Sequence, residues 1–463
     1  MTENNASQEV EVVKDEIAEV HSLLVQYRLL ETTMRHDEMP PEEIEKSLAQ
    51  TPCVAELREL LNGLPTVTVA LILNSLSDED RLVAWSEIAE ERVDGILELL
   101  SEEISEELVI DGDHTSSKET VNAFELQNGR LRQITVEGPQ QLAKAKPIWV
   151  DLVAPTPQVR AWVGKFFGLE LPDPEELTDL EASARFYVDD NDEVHLQSDF
   201  LLDLEDESRN VPVAFILHRG ILFSVRSEEL PVFRLLRLRA RRQPGYVTDG
   251  KDVLLDLYAA DAEYSADALE DVYAELEAVG KNVLNTKLSD EVAGSILADI
   301  AREEDLNGRI RRNVLDDRRA VSSLMRGKFL SSDQQEDARQ ILRDIESLDG
   351  HTSFLFGKIN FLMDAVVGFI NVNQNQRVSK LTKLGIIFMP INVLAGIGGM
   401  SEFSMMTTGI DWPYAYAGFV VSMVLIGWAT YWALRQAERR EARRQQEAVV
   451  PEHKVRQGRQ RAA

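Results

Sequence analysis

Two apolar stretches near the carboxyl end decide the fold class, LGIIFMPINVLAGIGGM at 384–400 and WPYAYAGFVVSMVLIGWATYWAL at 412–434. The second stretch has no charged residue, and at about 1.5 Å per residue it can cross a hydrocarbon core of roughly 30 Å. Tryptophan and tyrosine lie near both of its ends, as is typical of side chains at a membrane interface. The first stretch becomes long enough if it continues a helix through 378–383. The sequence therefore predicts two membrane-spanning helices.

The charges that flank these stretches predict their orientation. Basic residues precede the first stretch and arginines follow the second between 435 and 444, whereas the only charges in the intervening loop, 401–411, are acidic. Because basic residues remain on the cytoplasmic side of a membrane, we expect a multi-pass protein of the inner membrane with both termini in the cytoplasm. Residues 1–30 lack the continuous apolar core of a signal peptide.

The composition excludes several classes of protein. The chain has 463 residues, with 80 acidic against 49 basic side chains and a formal net charge of -31, which excludes a nucleic-acid binder that relies on a broad basic surface. A single cysteine, Cys53, excludes an intramolecular disulfide and an all-cysteine zinc site within one chain. The sequence contains neither a His-Glu-x-x-His motif nor a phosphate-binding glycine loop, so we do not expect an enzyme.

A polar series leads into the first apolar stretch. Apolar residues recur at helical intervals over 310–383, and Asp364, Asn371 and Asn375 are spaced seven and four residues apart, which places them on about one face of a helix. Two spans cannot enclose a polar path, so conduction requires an oligomer. In a ring of identical helices these three residues would form polar rings along one axis, and a solvated outer face is the alternative.

The region before the helices alternates strand and helix patterns. Two apolar segments around His218-Arg219-Gly220 predict a hairpin with glycine in its turn. The acidic segment 189–193 resembles part of a calcium loop, but Val194 stands where glycine is needed and no acidic ligand closes the loop. We therefore interpret this segment as a solvated turn. From 253 onward the pattern becomes that of long antiparallel helices.

The first 110 residues have a helical pattern with a weak repeat at a spacing of 24. The residues 69, 73 and 76–79 recur at 93, 97 and 100–103, and each unit ends in a serine that can cap the next helix. Leu64-Pro65 and the Leu-Ser-Asp-Glu-Asp-Arg segment at 76–81 resemble the acidic N domain of MgtE-type magnesium channels. That resemblance implies metal sensing, and docking of a protein partner is the alternative.

Four short segments lie at and near the first span: Lys380-Leu381-Thr382, Phe388-Met389-Pro390, Ala395-Gly396-Ile397 and Gly399-Met400-Ser401. In order and spacing they resemble the same region of CorA-type divalent-cation channels. The family signature at the last of these is Gly-Met-Asn, so Ser401 is a departure from it. Upstream, Trp149-Val150-Asp151-Leu152 and Phe223-Ser224-Val225-Arg226 resemble the cytoplasmic domain of the family. The resemblance covers about residues 125–440.

The resemblance implies a homopentamer in which each first span lines a central pore and each second span faces lipid. It implies an outer selectivity filter at Gly399, Met400 and Ser401, to which we add the next residue, Glu402. It implies that these residues line or gate the pore: Asp364, Asn375, Val378, Leu381, Gly385 and Met389. Asn371 joins them through its place in the polar series. Acidic side chains between subunits would bind regulatory divalent cations, with Asp337 and Asp344 as candidates.

The departure at Ser401 bears on ion selectivity. Mg²⁺ loses its water reluctantly, so a ring of oxygen atoms more readily holds the hydrated ion than strips it. A serine hydroxyl reaches less far than an asparagine carbonyl and should widen the ring. Glu402 would add a carboxylate ring that concentrates divalent cations at the mouth.

The expected fold class is a multidomain membrane protein with an N-terminal all-α superhelical domain, an α/β cytoplasmic domain, long stalk helices and two C-terminal transmembrane helices. The expected boundaries are 1–110 for the MgtE-N-like domain, 111–124 for a linker, 125–252 for the α/β domain, 253–379 for the stalk, 380–434 for the spans and 435–463 for a basic tail. We expect transport of Mg²⁺, or of Co²⁺, Ni²⁺ or Zn²⁺, gated by cytoplasmic metal. The alternatives are a proton-coupled zinc or transition-metal transporter of ZntB type and a non-conducting, metal-sensing membrane scaffold.

Overall fold

The computed structural model describes residues 2–36, 47–48, 51–110, 119–136, 138–176, 185–189, 193–204, 208–285, 289–398, 413–414, 416–436 and 440. The chain forms two compact units. One comprises Met1–Asn282 with Ala298–Phe361, and the other comprises Val283–Leu297 with Leu362–Ala463.

Six described helices precede the first strand. They are α1 (Thr2–His36), α2 (Pro52–Gly63), α3 (Thr66–Ser75), α4 (Asp78–Ser86), α5 (Glu90–Leu97) and α6 (Glu102–Ile110). The short helices begin at sequence features that favour a helix start. Pro52 opens α2, and the Ser77 hydroxyl accepts a hydrogen bond from the backbone N–H of Asp80 at the start of α4.

The repeat at a spacing of 24 is present in the structure as equivalent buried positions. Val69 and Val93 are both buried, as are Leu73 and Leu97, and all four belong to one hydrophobic core together with α1. Trp85 lies fully buried in this core. The helices are too short to be stable alone, so their stability comes from this shared apolar core.

A seven-stranded mixed sheet follows. Its strands are β1 (Thr120–Gln127), β2 (Arg130–Thr135), β3 (Trp149–Val153), β4 (Phe186–Val188), β5 (Val194–Leu202), β6 (Arg209–His218) and β7 (Ile221–Arg226), in the order β2-β1-β3-β7-β6-β5-β4. Strands β3 and β7 pair in parallel and the other neighbours are antiparallel. The hairpin predicted around His218-Arg219-Gly220 is confirmed, with φ of 51° at Arg219 and 82° at Gly220, a conformation for which glycine is the best residue.

Both faces of the sheet are covered by apolar side chains. Along the chain, helix α7 (Pro139–Leu142) precedes β3 and helix α8 (Pro157–Phe167) follows it. Val163 of α8 packs in one hydrophobic core with Val150 and Phe223 of the sheet. A second cluster contains the rings of Phe200, Phe215, Phe233 and Tyr258, whose centroids lie about 6 Å apart. Aromatic pairs at this separation stabilise a core beyond the area that they bury.

Long helices make up most of the remaining chain. They are α9 (Pro231–Arg242), α10 (Gly250–Asn285), α11 (Asp290–Arg326), α12 (Ser332–Gly398) and α13 (Tyr416–Gln436). The helical pattern over 310–383 belongs to two helices rather than to one long helix, because α11 ends at Arg326 and α12 begins at Ser332. The break lies where Gly327 precedes Lys328, whose φ is 57° and therefore outside the helical region.

Two helices are long and apolar enough to cross a membrane. The apolar window within Ser332–Gly396 has a mean hydropathy of 1.5 and that within Tyr416–Gln436 has 1.6, and only 22% and 6% of these windows are buried. The core helix of a soluble protein would be mostly buried, so this exposure fits helices that face lipid or other copies of the chain.

Candidate ion pathway and charged clusters

Helix α12 presents the proposed pore residues on one face. At about 100° per residue they fall within an arc of about 120°. All of them are exposed in the single chain, and they are Asp364, Asn371, Asn375, Val378, Leu381, Gly385 and Met389. The face changes from polar to apolar along the helix, which is the arrangement of a hydrated entrance that leads to apolar constrictions.

The apolar side chains of this helix are largely exposed in one chain: Leu381 is 70% exposed, Met389 68% and Val378 60%. Further apolar side chains on other faces, including Leu384 and Phe388, are also at least half exposed. A continuous apolar surface of this length is not stable in water, so lipid or other copies of the chain must cover it.

The four residues of the predicted filter lie outside the described residues. Gly399, Met400, Ser401 and Glu402 follow directly on the end of α12 at Gly398. Their assignment therefore remains a prediction from the sequence.

The two candidate regulatory acids lie on the first part of α12. Asp337 and Asp344 are exposed, and the carboxylate of Asp344 accepts hydrogen bonds from Gln340 Nε2 at 3.0 and 3.1 Å. Among the described residues, neither belongs to a group of three side chains close enough to hold one ion. Within the described part of one chain, no such group of side chains forms around them.

A buried carboxylate pair, Asp261 and Asp317, joins α10 to α11 and was missed by sequence reasoning. Both side chains are fully buried. Burial raises the pKa of Asp261 to about 7, and burial together with Asp261 raises the pKa of Asp317 well above its usual range. Asp261 also accepts hydrogen bonds from Asn313 Nδ2 and from the backbone N–H of Leu201. The pair therefore holds a proton where exposed carboxyl groups have lost theirs.

A signal for such a pair exists in the sequence but is weak. Asp261 interrupts a run of small and apolar residues on α10, at a position where the helical pattern predicts burial. An acid in an apolar stripe predicts a buried carboxyl group but does not reveal its partner. That partner, Asp317, lies 56 positions further along the chain.

The strand motifs quoted for the family resemblance form a buried ion pair. Arg226 Nη2 on β7 donates a hydrogen bond to Asp151 Oδ2 on β3 at 2.7 Å, and neither side chain is exposed. The Ser224 hydroxyl donates to Asp151 Oδ1 at 2.6 Å and accepts from Trp149 Nε1 at 2.8 Å. Arg226 also lies over the Phe233 ring, 4.2 Å from its centroid. These residues connect parallel strands and support the fold rather than the ion pathway.

The N-terminal helices are attached to α9 by arginines. Arg242 donates to the carbonyl oxygens of Leu97 and Leu100, at the end of α5, and to the Ser105 hydroxyl at 2.7 Å. Arg239 forms an ion pair with Glu106 of α6 at 2.7 Å. Two leucines of α9, at 235 and 238, complete the hydrophobic core of the N-terminal helices. Acidic helices and a basic helix are thus complementary in charge.

Comparison with known proteins identifies the family. A family model described as CorA-like Mg²⁺ transporter protein matches residues 144–436. The chain belongs to the CorA family. The magnesium transport protein CorA of Escherichia coli strain K12 is 39% identical over 312 residues, which cover 67% of this chain and 97% of that protein. CorA of Salmonella typhimurium matches with the same identity and coverage.

The fold agrees with a solved structure of the CorA family. The complete structure of the CorA magnesium transporter from Methanocaldococcus jannaschii aligns with a TM-score of 0.53 at 16% sequence identity, over 69% of this chain and 98% of that one. The CorA fold, with its mixed-sheet domain, long helices and two C-terminal spans, is therefore shared. The family model begins at residue 144, so α1–α6 lie outside it.

Proposed function

We propose that the chain transports divalent metal cations, Mg²⁺ foremost, across the inner membrane through a CorA-like pore. The observation that carries this proposal is the exposed face of α12 from Asp364 to Met389, polar at one end and apolar at the other, on a spanning helix of a CorA family member. A divalent ion that keeps its water needs polar oxygens along the entrance and a narrow apolar gate.

The pore is formed by several copies of the chain, and a homopentamer is the arrangement that the family resemblance implies. One α12 offers a single stripe toward the path, and the exposed apolar surface beside that stripe requires partners. Helix α13 has only 6% of its apolar window buried and would face lipid. We place both termini in the cytoplasm, because basic residues flank the spans and acids occupy the loop.

The filter is proposed at Gly399, Met400, Ser401 and Glu402. A ring of serine hydroxyls and backbone carbonyls would bind a hydrated ion through its water, and a ring of Glu402 carboxylates would attract divalent cations to the mouth. Replacing Ser401 by alanine together with Glu402 by glutamine should lower flux in proteoliposomes. Unchanged flux and ion preference in this double variant would contradict the filter assignment.

Cytoplasmic metal is proposed to regulate the pore through carboxylates at Asp337 and Asp344. Both lie exposed on α12, ahead of the pore face. In an oligomer, like charges on neighbouring copies repel one another until a divalent ion binds between them. The N-terminal helices, which resemble an MgtE N domain in sequence, would add a second acidic sensing surface.

Cysteine substitution tests the pore face directly, because the only native cysteine can be removed. In a Cys53→Ser background, Met389→Cys places a thiol on the proposed pore face, and Leu384→Cys places one about 140° away on the same helix, outside the arc of the pore residues. A charged thiol reagent should reduce Mg²⁺ flux into proteoliposomes for Met389→Cys and leave Leu384→Cys near the background. Equal sensitivity of the two variants would refute the assignment of the face.

The same proteoliposomes separate the alternative functions. Flux is measured with Mg²⁺, Zn²⁺, Co²⁺ and Ni²⁺, each with and without a pH gradient. Flux that requires the gradient would replace a channel by proton-coupled transport, and no flux for any ion would replace transport by a scaffold role.

A further inference from the structure

Four side chains that can bind metal lie near one another at the edge of the sheet, where β4 ends, β5 begins and β6 ends. Continuing the β4–β5 register by one residue places Asp189 opposite Glu193, and continuing the β5–β6 register places Glu193 opposite His218. The backbone N–H of Asp189 donates to the carbonyl oxygen of Glu193 at 2.9 Å, which holds the first pair. Directly opposite residues share a face, and His195, two residues after Glu193, shares it as well. We call these four residues the His–Glu cluster.

The distances within the His–Glu cluster suit a single ion. Glu193 Oε1 lies 3.0 Å from His218 Nδ1, and Glu193 Oε2 lies 3.5 Å from His195 Nε2. One potential ligand atom each from Asp189, Glu193 and His195 lie within 4.8 Å of one another. Ligand atoms about 2.1 Å from a tetrahedral zinc are separated by ~3.3 Å. Small side-chain rotations therefore suffice to bring the donors of Asp189, Glu193 and His195 to one centre, while His218 Nδ1 holds the Glu193 carboxylate in place.

Burial distinguishes the cluster from an ordinary acidic turn. Glu193 is 4% exposed and His218 6% exposed, although the sequence predicts a solvated segment here. The carboxylate of Glu193 contacts two imidazole rings, His195 through Nε2 and His218 through Nδ1. A buried carboxylate needs a compensating cation, and a metal ion held by Asp189, Glu193 and His195 would supply it.

The donor types decide which ion fits. Asp189, Glu193 and His195 offer two carboxylates and one imidazole, and the imidazole suits zinc and neighbouring transition metals, whereas Mg²⁺ prefers an all-oxygen shell and keeps several waters. We propose that the His–Glu cluster is a binding site for one Zn²⁺, or a transition-metal ion of similar preference, in each chain. The site joins the short edge strand β4 to β5 and β6, on a different part of the chain from the pore face. It does not depend on the proposed transport function.

The test measures Zn²⁺ binding by the full-length protein in detergent, by equilibrium dialysis with metal analysis. The dialysis buffer contains an excess of Mg²⁺, so that Zn²⁺ does not bind to exposed carboxylates elsewhere on the acidic surface. Co²⁺ is used in parallel, since its visible absorption reports tetrahedral coordination. The variant is His195→Gln, and His351→Gln is the matched control because that histidine is exposed on α12, where its Nδ1 is hydrogen-bonded to the Tyr273 hydroxyl.

The wild type and His351→Gln should each bind one Zn²⁺ per chain in the presence of Mg²⁺, with the Co²⁺ spectrum of a tetrahedral site. His195→Gln should weaken binding at least ~10-fold and change that spectrum. His195 is the less buried of the two histidines, so this variant should fold, which thermal unfolding checks. Zn²⁺ binding by His195→Gln that equals the wild type, or no Mg²⁺-resistant Zn²⁺ in the wild type, would overturn the proposal.

Discussion

Replacement of Arg242 by alanine should release the N-terminal helices from α9. The Arg242 guanidinium donates to the carbonyl oxygen of Leu97, the last residue of α5, to that of Leu100, three residues beyond it, and to the Ser105 hydroxyl. A cation at the carboxyl end of a helix also interacts favourably with the helix dipole. The alanine variant therefore loses three hydrogen bonds from a charged donor.

The size of the effect follows from these contacts. Hydrogen bonds from a charged donor contribute roughly 1.5–3 kcal/mol each, and because Arg242 is only half-buried we take the lower value for the two carbonyl bonds. The sum is about 3 kcal/mol, which changes the equilibrium between attached and released helices by about 100-fold. Release also exposes the two leucines of α9 that complete the N-terminal core.

Amide hydrogen exchange measures this equilibrium. Amides of α6 and α9 should exchange up to about 100-fold faster in Arg242→Ala, while those of the central strands keep their protection. Arg241→Ala is the matched control, because the ion-pair partners of Arg241, Asp94 and Glu98, are 43% and 50% exposed and such pairs contribute about 0–1 kcal/mol. Exchange in Arg242→Ala that equals the wild type, or equal acceleration in both variants, would refute this reasoning.

Three further predictions concern the stability of the folded chain, each measured by thermal unfolding in detergent. Both carboxyl groups of the buried pair have raised pKa values in the folded state, so the stabilisation that they contribute is full below about pH 4. The contribution of Asp261 is lost as the pH rises through about 7, and that of Asp317 is lost with rising pH as well. Asp317→Asn should reduce the loss of stability between pH 6 and pH 8, and an unchanged pH dependence would contradict the pair. Arg226→Met leaves a buried charge on Asp151 and should cost about 3–5 kcal/mol, and adding Asp151→Asn should recover part of that loss. Gly250→Ala should cost about 1–3 kcal/mol, because its Cβ would lie 2.7 Å from a backbone oxygen, whereas Gly350→Ala, with open space around it, should be neutral or stabilising.

The acidic segment before β5 shows where sequence reasoning failed. The run of acids predicts a solvated turn, and Asp189 is exposed as expected. Glu193 is buried, because β4 and β6 place Asp189 and His218 on either side of it. Composition describes the segment correctly as polar but contains no information on the strands that flank it. The same limit explains why the sequence did not reveal the carboxylate pair of α10 and α11.

The stripe on α12 shows where sequence reasoning succeeded in part. The spacing of Asp364, Asn371 and Asn375 places them on one face as soon as the segment is helical, and the structure has a helix there. Whether that face lines a pore depends on other copies of the chain, so this assignment stays a prediction. The break between α11 and α12 lies at Gly327 and Lys328, followed by the polar run 331–337, and these are local signals that mark the end of one helix and the start of the next.

The sequence by itself determined the features that depend on neighbours along the chain: two apolar spans, the repeat of 24 in the N-terminal helices, the glycine turn between β6 and β7, and the face of α12. Hydropathy, helical periodicity and backbone conformation act over a few residues, so they can be recognised without a fold. Only the tertiary structure decided which charges are buried and paired. The contacts of Glu193 with His218, of Asp151 with Arg226 and of Leu97 with Arg242 join residues 25, 75 and 145 positions apart, and their energies come from burial that exists only in the folded chain.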